Sequence, residues 1–344
     1  MIRTTTNGVL SGYKFNLQCS SHALNKARET VLTGRRFNSF AEDPAMAAHS
    51  FKLRNSLLQL DSQYTVSQSV IRKYDVAWGT LDGISGSLKV AKDAIARANN
   101  DTTSGGRNAL GQQLEQLAEG IVKSMNNKYG DNYVFAGADG LNIPFELENG
   151  TLTYRGLDVN AADNSDAYTK LQSLVRGEKK FADIGLGLEE HDDGTLNETS
   201  AFDTALHGVT YLGYGQDEDG DPQNIVCIID RMGKLLKNCA GENGDFATPQ
   251  DEEEFRRLSG KFETALSTFT SKYTELDARA SFLKDNHKQL EQNSYTLQEQ
   301  IHTLEQVDPA DAIMAYSWAQ YSYNAALKVG NSILSQSLMD YING

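Results

Sequence analysis

The stretch VLTGRRFNSFAEDPAMAAHSF, residues 31–51, interrupts a chain that reads as regular helix on either side of it. Upstream, Leu10, Tyr13, Leu17, Ser20, Leu24, Ala27 and Val31 follow one another in steps of three and four, which is one face of a helix. Gly34 then supplies the kind of stop that follows a helix C-terminus. Downstream, Glu42-Asp43-Pro44 restarts the helix, with acids before the first turn and proline near its first position.

Working outward, Leu57, Leu60, Tyr64, Ser67, Ile71 and Tyr74 share a seam. After one slip in step, Ala77, Leu81, Ile84, Leu88, Ala91, Ile95 and Ala98 continue it, which predicts a helix to about Asn99. A third helix is expected over 104–128, with Leu110, Leu114, Leu117, Ile121 and Met125 on one face. YGDNYVFAG then changes the period. Tyr133, Val134 and Phe135 read as a short β-type run, and IPFELENGTLTYRG as a hairpin turning at Asn149-Gly150.

Residues 155–250 mix Gly, Asp and short apolar runs such as NIVCIID, and a small mixed α/β or β insertion is expected there. From Phe255 the heptad seam returns: Phe255, Leu258, Phe262, Leu266, Phe269, Tyr273, Leu276, Ala280, Leu283, His287, Leu290, Ser294, Leu297, Ile301 and Leu304. Val307-Asp308-Pro309 closes it. A last helix follows with Ile313, Tyr316, Tyr323, Leu327, Leu334 and Leu338.

The predicted fold is therefore mainly α. N- and C-terminal segments form a long antiparallel helical rod, with a β-hairpin and the small domain inserted between them. The boundaries are 1–43 for the first end helix and joint, and 44–154 for the N-terminal part of the rod with the hairpin. An acidic outer domain occupies 155–250, the C-terminal rod helix 251–308 and the last end helix 309–344. A lone amphipathic helix is marginal in water, so the long helices must pair. The two end segments hold too little to build a core alone. They are expected to order only against neighbouring copies, through Leu17, Leu24, Val31, Ile313, Tyr316, Tyr323, Leu327, Leu334 and Leu338.

Charge agrees with this layout. The net charge is −14, a poor basis for neutralising nucleic-acid phosphates. Residues 155–254 hold about 22 acids and about 8 bases, so the acidity belongs to the middle and the ends are close to neutral. Three cysteines, Cys19, Cys227 and Cys239, argue against a disulfide framework and have no metal-ligand spacing. The opening residues carry no apolar run suited to a signal peptide, and no stretch is long enough to span a membrane. That reads as a cytosolic protein, unless a dedicated secretion machine exports it without a cleaved signal.

Chemical motifs fail on inspection. In GYGQDEDGDP, aligning Gly220 with the fixed glycine of an EF-hand loop puts Gly215 and Val226 at ligand positions, so an acidic turn is the better reading. DIGLGLEE has Glu190 where a dinucleotide fingerprint needs its third glycine. The six histidines form no triad pattern. No catalytic residue, cofactor or metal is expected, and the chain does not read as an enzyme. His287 and Ser294 are polar positions in a seam, where such residues fix register or sit at a slack contact.

LNKARETVLTGRRFNSFAEDPAMAA and the ending PADAIMAYSWAQYSYNAALKVGNSILSQSLMDYING resemble the flagellin superfamily over about residues 1–155 and 250–344. NNKYGDNYVFAGADGLNIPF, EDPAMAA and SLMDYING are closer to the members at the hook–filament junction than to those of the bulk filament. The resemblance implies a structural subunit of the bacterial flagellum, exported unfolded with a chaperone and polymerising through its terminal helices. Its implied partners are copies of itself, the other junction protein and flagellin. It also gives the opening stretch a role as the joint between inner-tube and rod helices. Gly34 would permit the turn, Pro44 restart the helix, and Arg35 and Arg36 meet acids on neighbouring copies. Filament flagellin, or a cytosolic coiled-coil adaptor, are the other readings.

Overall fold

A computed structural model describes residues 6–100, 104–148, 151–163, 165–239 and 246–342. The described residues form eight helices and short antiparallel sheets, in two compact units. One unit is made of residues 1–61 and 292–344, the other of residues 62–291.

The first unit holds α1 (Thr6–Thr33), the start of α2 (Pro44–Asn99), the end of α7 (Pro249–Glu305) and α8 (Pro309–Ile342). Its helix starts follow the local chemistry of the sequence. Asp43 Oδ1 accepts the Met46 N–H at 3.0 Å, and Asp308 Oδ1 accepts the Ala310 N–H at 2.8 Å. Each acid thereby satisfies an orphan donor ahead of a proline at the first helical position. α1 and α8 pack on each other, antiparallel. The phenol of Tyr13 lies against the backbone of Gly330, while Val307 N–H binds Gly34 O at 3.0 Å at the opposite end.

In the second unit the rest of α2 and α7 run antiparallel. Lys92 pairs with Glu263 at 2.9 Å, and Lys284 with Asp75 at 2.9 Å. Between them lie the seam residues. Tyr74, Leu81, Leu88, Leu258 and Leu283 are fully buried, each such side chain contributing about 1.5–3 kcal/mol. Helix α7 begins at Pro249, six residues before its seam, because Thr248 and Asp251 cap each other: Asp251 N–H donates to Thr248 Oγ1 and Thr248 N–H to Asp251 Oδ2.

Helix α3 (Ser104–Met125) ends short of the expected Lys128. The Asn126 carboxamide instead binds both the N–H and the carbonyl of Phe145. Lys128–Tyr129 (β1) then pairs with Asn132–Tyr133 (β2). The expected β-run 133–135 is corrected here. Tyr133 ends β2, while Val134 and Phe135 lie wholly buried in the turn before β3 (Ala136–Gly137). Two adjacent residues buried together break the alternation a half-exposed strand needs.

The hairpin is present as β4 (Phe145–Glu148) against β5 (Thr151–Tyr154), extended by β6 (Leu157–Asp158). Its turn, Asn149-Gly150, lies outside the described residues. Next come α4 (Asp166–Gly177), β7 (Phe181–Ala182), β8 (Phe202–Asp203), β9 (Leu206–His207), α5 (Gly208–Leu212) and α6 (Ile225–Lys237). β7 pairs with β8, and β9 returns to β3. The inserted region is mixed α/β. Helix α6 packs tightly on α3, where a Cβ at Gly111 would stand 2.7 Å from Gly233 O.

Candidate assembly interface

The joint that opens the sequence is built around a residue that sequence reasoning missed. Gly34 takes φ +67°, a conformation that favours glycine, and its N–H closes α1 on Thr30 O at 2.8 Å. The chain then runs beside the end of α7. Arg36 N–H binds Glu305 O at 2.7 Å, and Arg35 forms a bridge with Gln306. The Glu305 carboxylate is buried on α2. It accepts from Arg54 Nε at 2.7 Å and Nη2 at 2.6 Å, and from the Ser50 hydroxyl. Arg54 is the main cause, and Ser50 and nearby Arg35 help, in holding the Glu305 carboxyl at about 2 despite burial.

Arg35 and Arg36 are themselves exposed, and among the described residues neither guanidinium enters an ion pair. Pro44 stands at the first position of α2. Beside the joint, Phe37, Phe40, Ala47, Phe51 and Lys52 line a hollow of about 730 Å³, and Phe40 and Phe51 are both more than 60% exposed. Glu305 carried one signal in the sequence. It is an acid directly after the last seam residue, Leu304, at a position that heptad reading leaves to solvent.

The end helices divide the expected packing set. On α1 the covered positions include Leu10, Tyr13, Leu17, Ser20, Leu24, Ala27 and Thr30. On α8 they are Ala312, Tyr316, Ala319, Tyr323, Ala326 and Gly330. Both rows advance in steps of about three and four, so Leu17, Leu24, Tyr316 and Tyr323 belong to the seam of the α1–α8 pair. Val31, Ile313 and Leu327 are exposed. Leu334 and Leu338 lie in α8, but their side chains fall outside the described residues.

The expectation that both ends lack any cover within one molecule is therefore revised: they cover each other along one face. Their outer faces remain apolar. Phe15, Leu32, Met314, Trp318, Tyr321 and Val329 are each more than half exposed. Single exposed apolar residues are ordinary, but a row of large ones on a helix pair marks an interaction surface.

The other candidates resolve as structural features. Asp217, Asp219 and Asp221 do converge, but Lys261 Nζ sits among all three, at 3.0 Å from Asp219 and 2.6 Å from Asp221. The acidic turn thus carries its own cation. Burial opposes the charge of Asp221, yet Arg257 and Lys261 outweigh it and hold the carboxyl at about 2. Cys227 is buried, and burial pushes its thiol up to about 12, the behaviour of a packing residue. His287 stacks on Tyr64 at 4.2 Å between ring centroids. No helix among the described residues is long and apolar enough to cross a membrane.

Residues 5–139 match the sequence model of the bacterial flagellin N-terminal helical region. The match takes in the joint and the β1–β2 turn. A flagellin of Clostridium tyrobutyricum is 28% identical over 112 residues, which are 32% of this chain and 30% of that protein. The aligned part thus spans under a third of that relative's length. Among solved structures, one from Vibrio parahaemolyticus assigned as a flagellar hook-associated protein aligns over 77% of this chain and all of its own, with TM-score 0.57 and 14% identity. FlgL of Bacillus cereus aligns over 73% of this chain and 99% of its own, with 18% identity and TM-score 0.49. At 14% identity the Vibrio likeness speaks to the fold.

Proposed function

We propose that this chain is a structural subunit of the bacterial flagellum, at the junction between hook and filament, which polymerises through its terminal helices. The observation that carries the reading is the apolar, exposed outer face of the α1–α8 pair, beside a joint whose Arg35 and Arg36 enter no ion pair among the described residues. A flagellin-type N-terminal region supports the flagellar setting, the fold shared with the Vibrio hook-associated chain agrees with it, and the stretches NNKYGDNYVFAGADGLNIPF and SLMDYING favour the junction over the filament.

The mechanism is burial rather than chemistry. Copies side by side remove Trp318, Tyr321, Phe15 and their neighbours from water, at roughly 25 cal/mol per Å² of apolar surface. Repetition around a ring multiplies each contact. Arg35 and Arg36 meet acids of the next copy. The acidic middle, with little apolar surface to cover, stays in solvent outside the tube. The partners are copies of the same chain, the other hook–filament junction protein, flagellin, and a chaperone that escorts the unfolded chain to the flagellar export channel. The site of action is extracellular.

A deletion strain tests this. It is expected to build hooks and to shed flagellin as monomer into the medium. Sheared flagella of the wild type should contain the protein as a trace band. A band that dominates the sheared material makes it the filament subunit instead. Absence from the culture supernatant, in cells that export flagellin normally, makes it an internal adaptor.

A further inference from the structure

Within the second unit lies a recess of about 550 Å³ between α2, the β1–β2 turn and β7. Lys73 lines it. Its side chain is half-buried, and among the described residues its ammonium donates to Thr204 O at 2.8 Å. Lys180 lines the same recess, and among the described residues its ammonium meets no carboxylate. A charge withdrawn from water is ordinarily paired. Here the bond made by the ammonium goes to a neutral carbonyl, and no salt bridge reaches it among the described residues. Burial, and then Lys180, push the Lys73 ammonium down to about 8.

Asp203 offsets only part of this, since its Oδ1 already accepts the N–H groups of Lys180 and Ala205. Asp131 also lines the recess, on its exposed rim. Two ammonium groups lining one cavity, half-buried Lys73 and exposed Lys180, neither in a salt bridge among the described residues, are an arrangement that an anion stabilises. Tyr129, Tyr133 and Phe181 supply aromatic wall for an organic body, and the volume lies in the range of small-molecule sites. Among the described residues no arginine lines the recess to fork onto the several oxygens of a phosphate.

We propose that this recess binds a small organic carboxylate, held between the ammonium groups of Lys73 and Lys180. The site is independent of the assembly reading, for none of its residues lies in the α1–α8 pair or the joint.

The test is calorimetric titration of the purified full chain at pH 8 with 4-hydroxybenzoate, its uncharged amide and inorganic phosphate. Saturable binding of the carboxylate is expected, with proton uptake as Lys73 regains its full charge, and at least tenfold weaker binding of the amide. Lys73→Met and Lys180→Met should each weaken carboxylate binding at least tenfold. Without ligand, Lys73→Met should melt no lower than the parent, because it removes an unpaired withdrawn charge. No carboxylate binding, equal binding of the amide, or tighter binding of phosphate overturns the assignment. So does a Lys73→Met chain that binds normally. A clearly lower melting temperature for that variant would make Lys73 a structural residue and overturn it as well.

Discussion

Arg54 and Glu305 are 251 positions apart in the chain and form a two-bonded ion pair, Nε to Oε1 at 2.7 Å and Nη2 to Oε2 at 2.6 Å. The pair ties the end of α7 to the start of α2 directly behind the joint. Its carboxylate also takes the Ser50 hydroxyl, and its backbone carbonyl takes the Arg36 N–H. Replacing Glu305 by Gln should loosen the joint by about 1–3 kcal/mol, the cost of a charged bond lost at a buried group. Limited trypsin digestion reads this directly, as faster cleavage after Arg35 and Arg36. Unchanged cleavage would show that the ion pair does not hold the joint.

The same carboxylate predicts an acid response. Its folded pKa, about 2, lies below the ordinary value of about 4.5. The folded state therefore binds fewer protons, and the stabilisation is complete above the ordinary value. It is lost as pH falls from there toward 2. Hydrogen exchange at Arg36 N–H should accelerate over that window, beyond the intrinsic pH effect, and in Glu305→Gln the excess should vanish.

Gly34 has no neighbour within 4 Å of where a Cβ would stand, so any penalty for substitution there is conformational. Gly34→Ala should cost about 1–2 kcal/mol, the price of a left-handed L-residue, and Gly34→Asn less. Exchange at Val307 N–H, which binds Gly34 O, reports the loosening, and assembly should fall in the same order. Equal behaviour of the two variants would point away from backbone strain.

Substitutions on the end helices should separate by face. Trp318 is 72% exposed, and Trp318→Ala should leave the helicity of the isolated chain unchanged while reducing its incorporation into flagella. Leu17→Ala acts on the seam and should loosen the α1–α8 pair itself, seen as earlier proteolysis of the first thirty or so residues. If Trp318→Ala incorporates normally, the outer face is not the contact surface.

In the second unit, Gly111 and Gly233 let α3 and α6 approach backbone to backbone. Gly233→Ala should destabilise that unit by about 1–3 kcal/mol, although alanine favours helix. The acidic turn makes the opposite kind of prediction. Because Lys261 occupies the cluster of Asp217, Asp219 and Asp221, added calcium should not raise the melting temperature.

The sequence was most readable where periodicity is long. Tyr74, Leu81, Leu88, Phe262 and Leu283 were placed on seams by spacing alone and are buried. Helix starts at Pro44 and Pro309 were legible because capping is a local matter of three or four residues. Reading failed where a contact joins distant segments. Nothing near Asn126 announces that its carboxamide will pair with Phe145 and end α3 early. Val134 and Phe135 look like strand, but burial from both sides fixes them in a turn.

By itself, then, the amino-acid order determined that the long segments toward both ends are helical, that Pro44 and Pro309 start two of them, and that the two ends are apolar while the middle is acidic. Those properties depend on side-chain spacing along one segment. Only the tertiary structure decided which apolar residues are covered within the chain and which are left for a neighbour. It also decided that Glu305 is buried and charged, and that Lys73 and Lys180 line one recess. Coverage and electrostatics are set by what stands opposite a residue, and that is fixed only once segments hundreds of positions apart have come together.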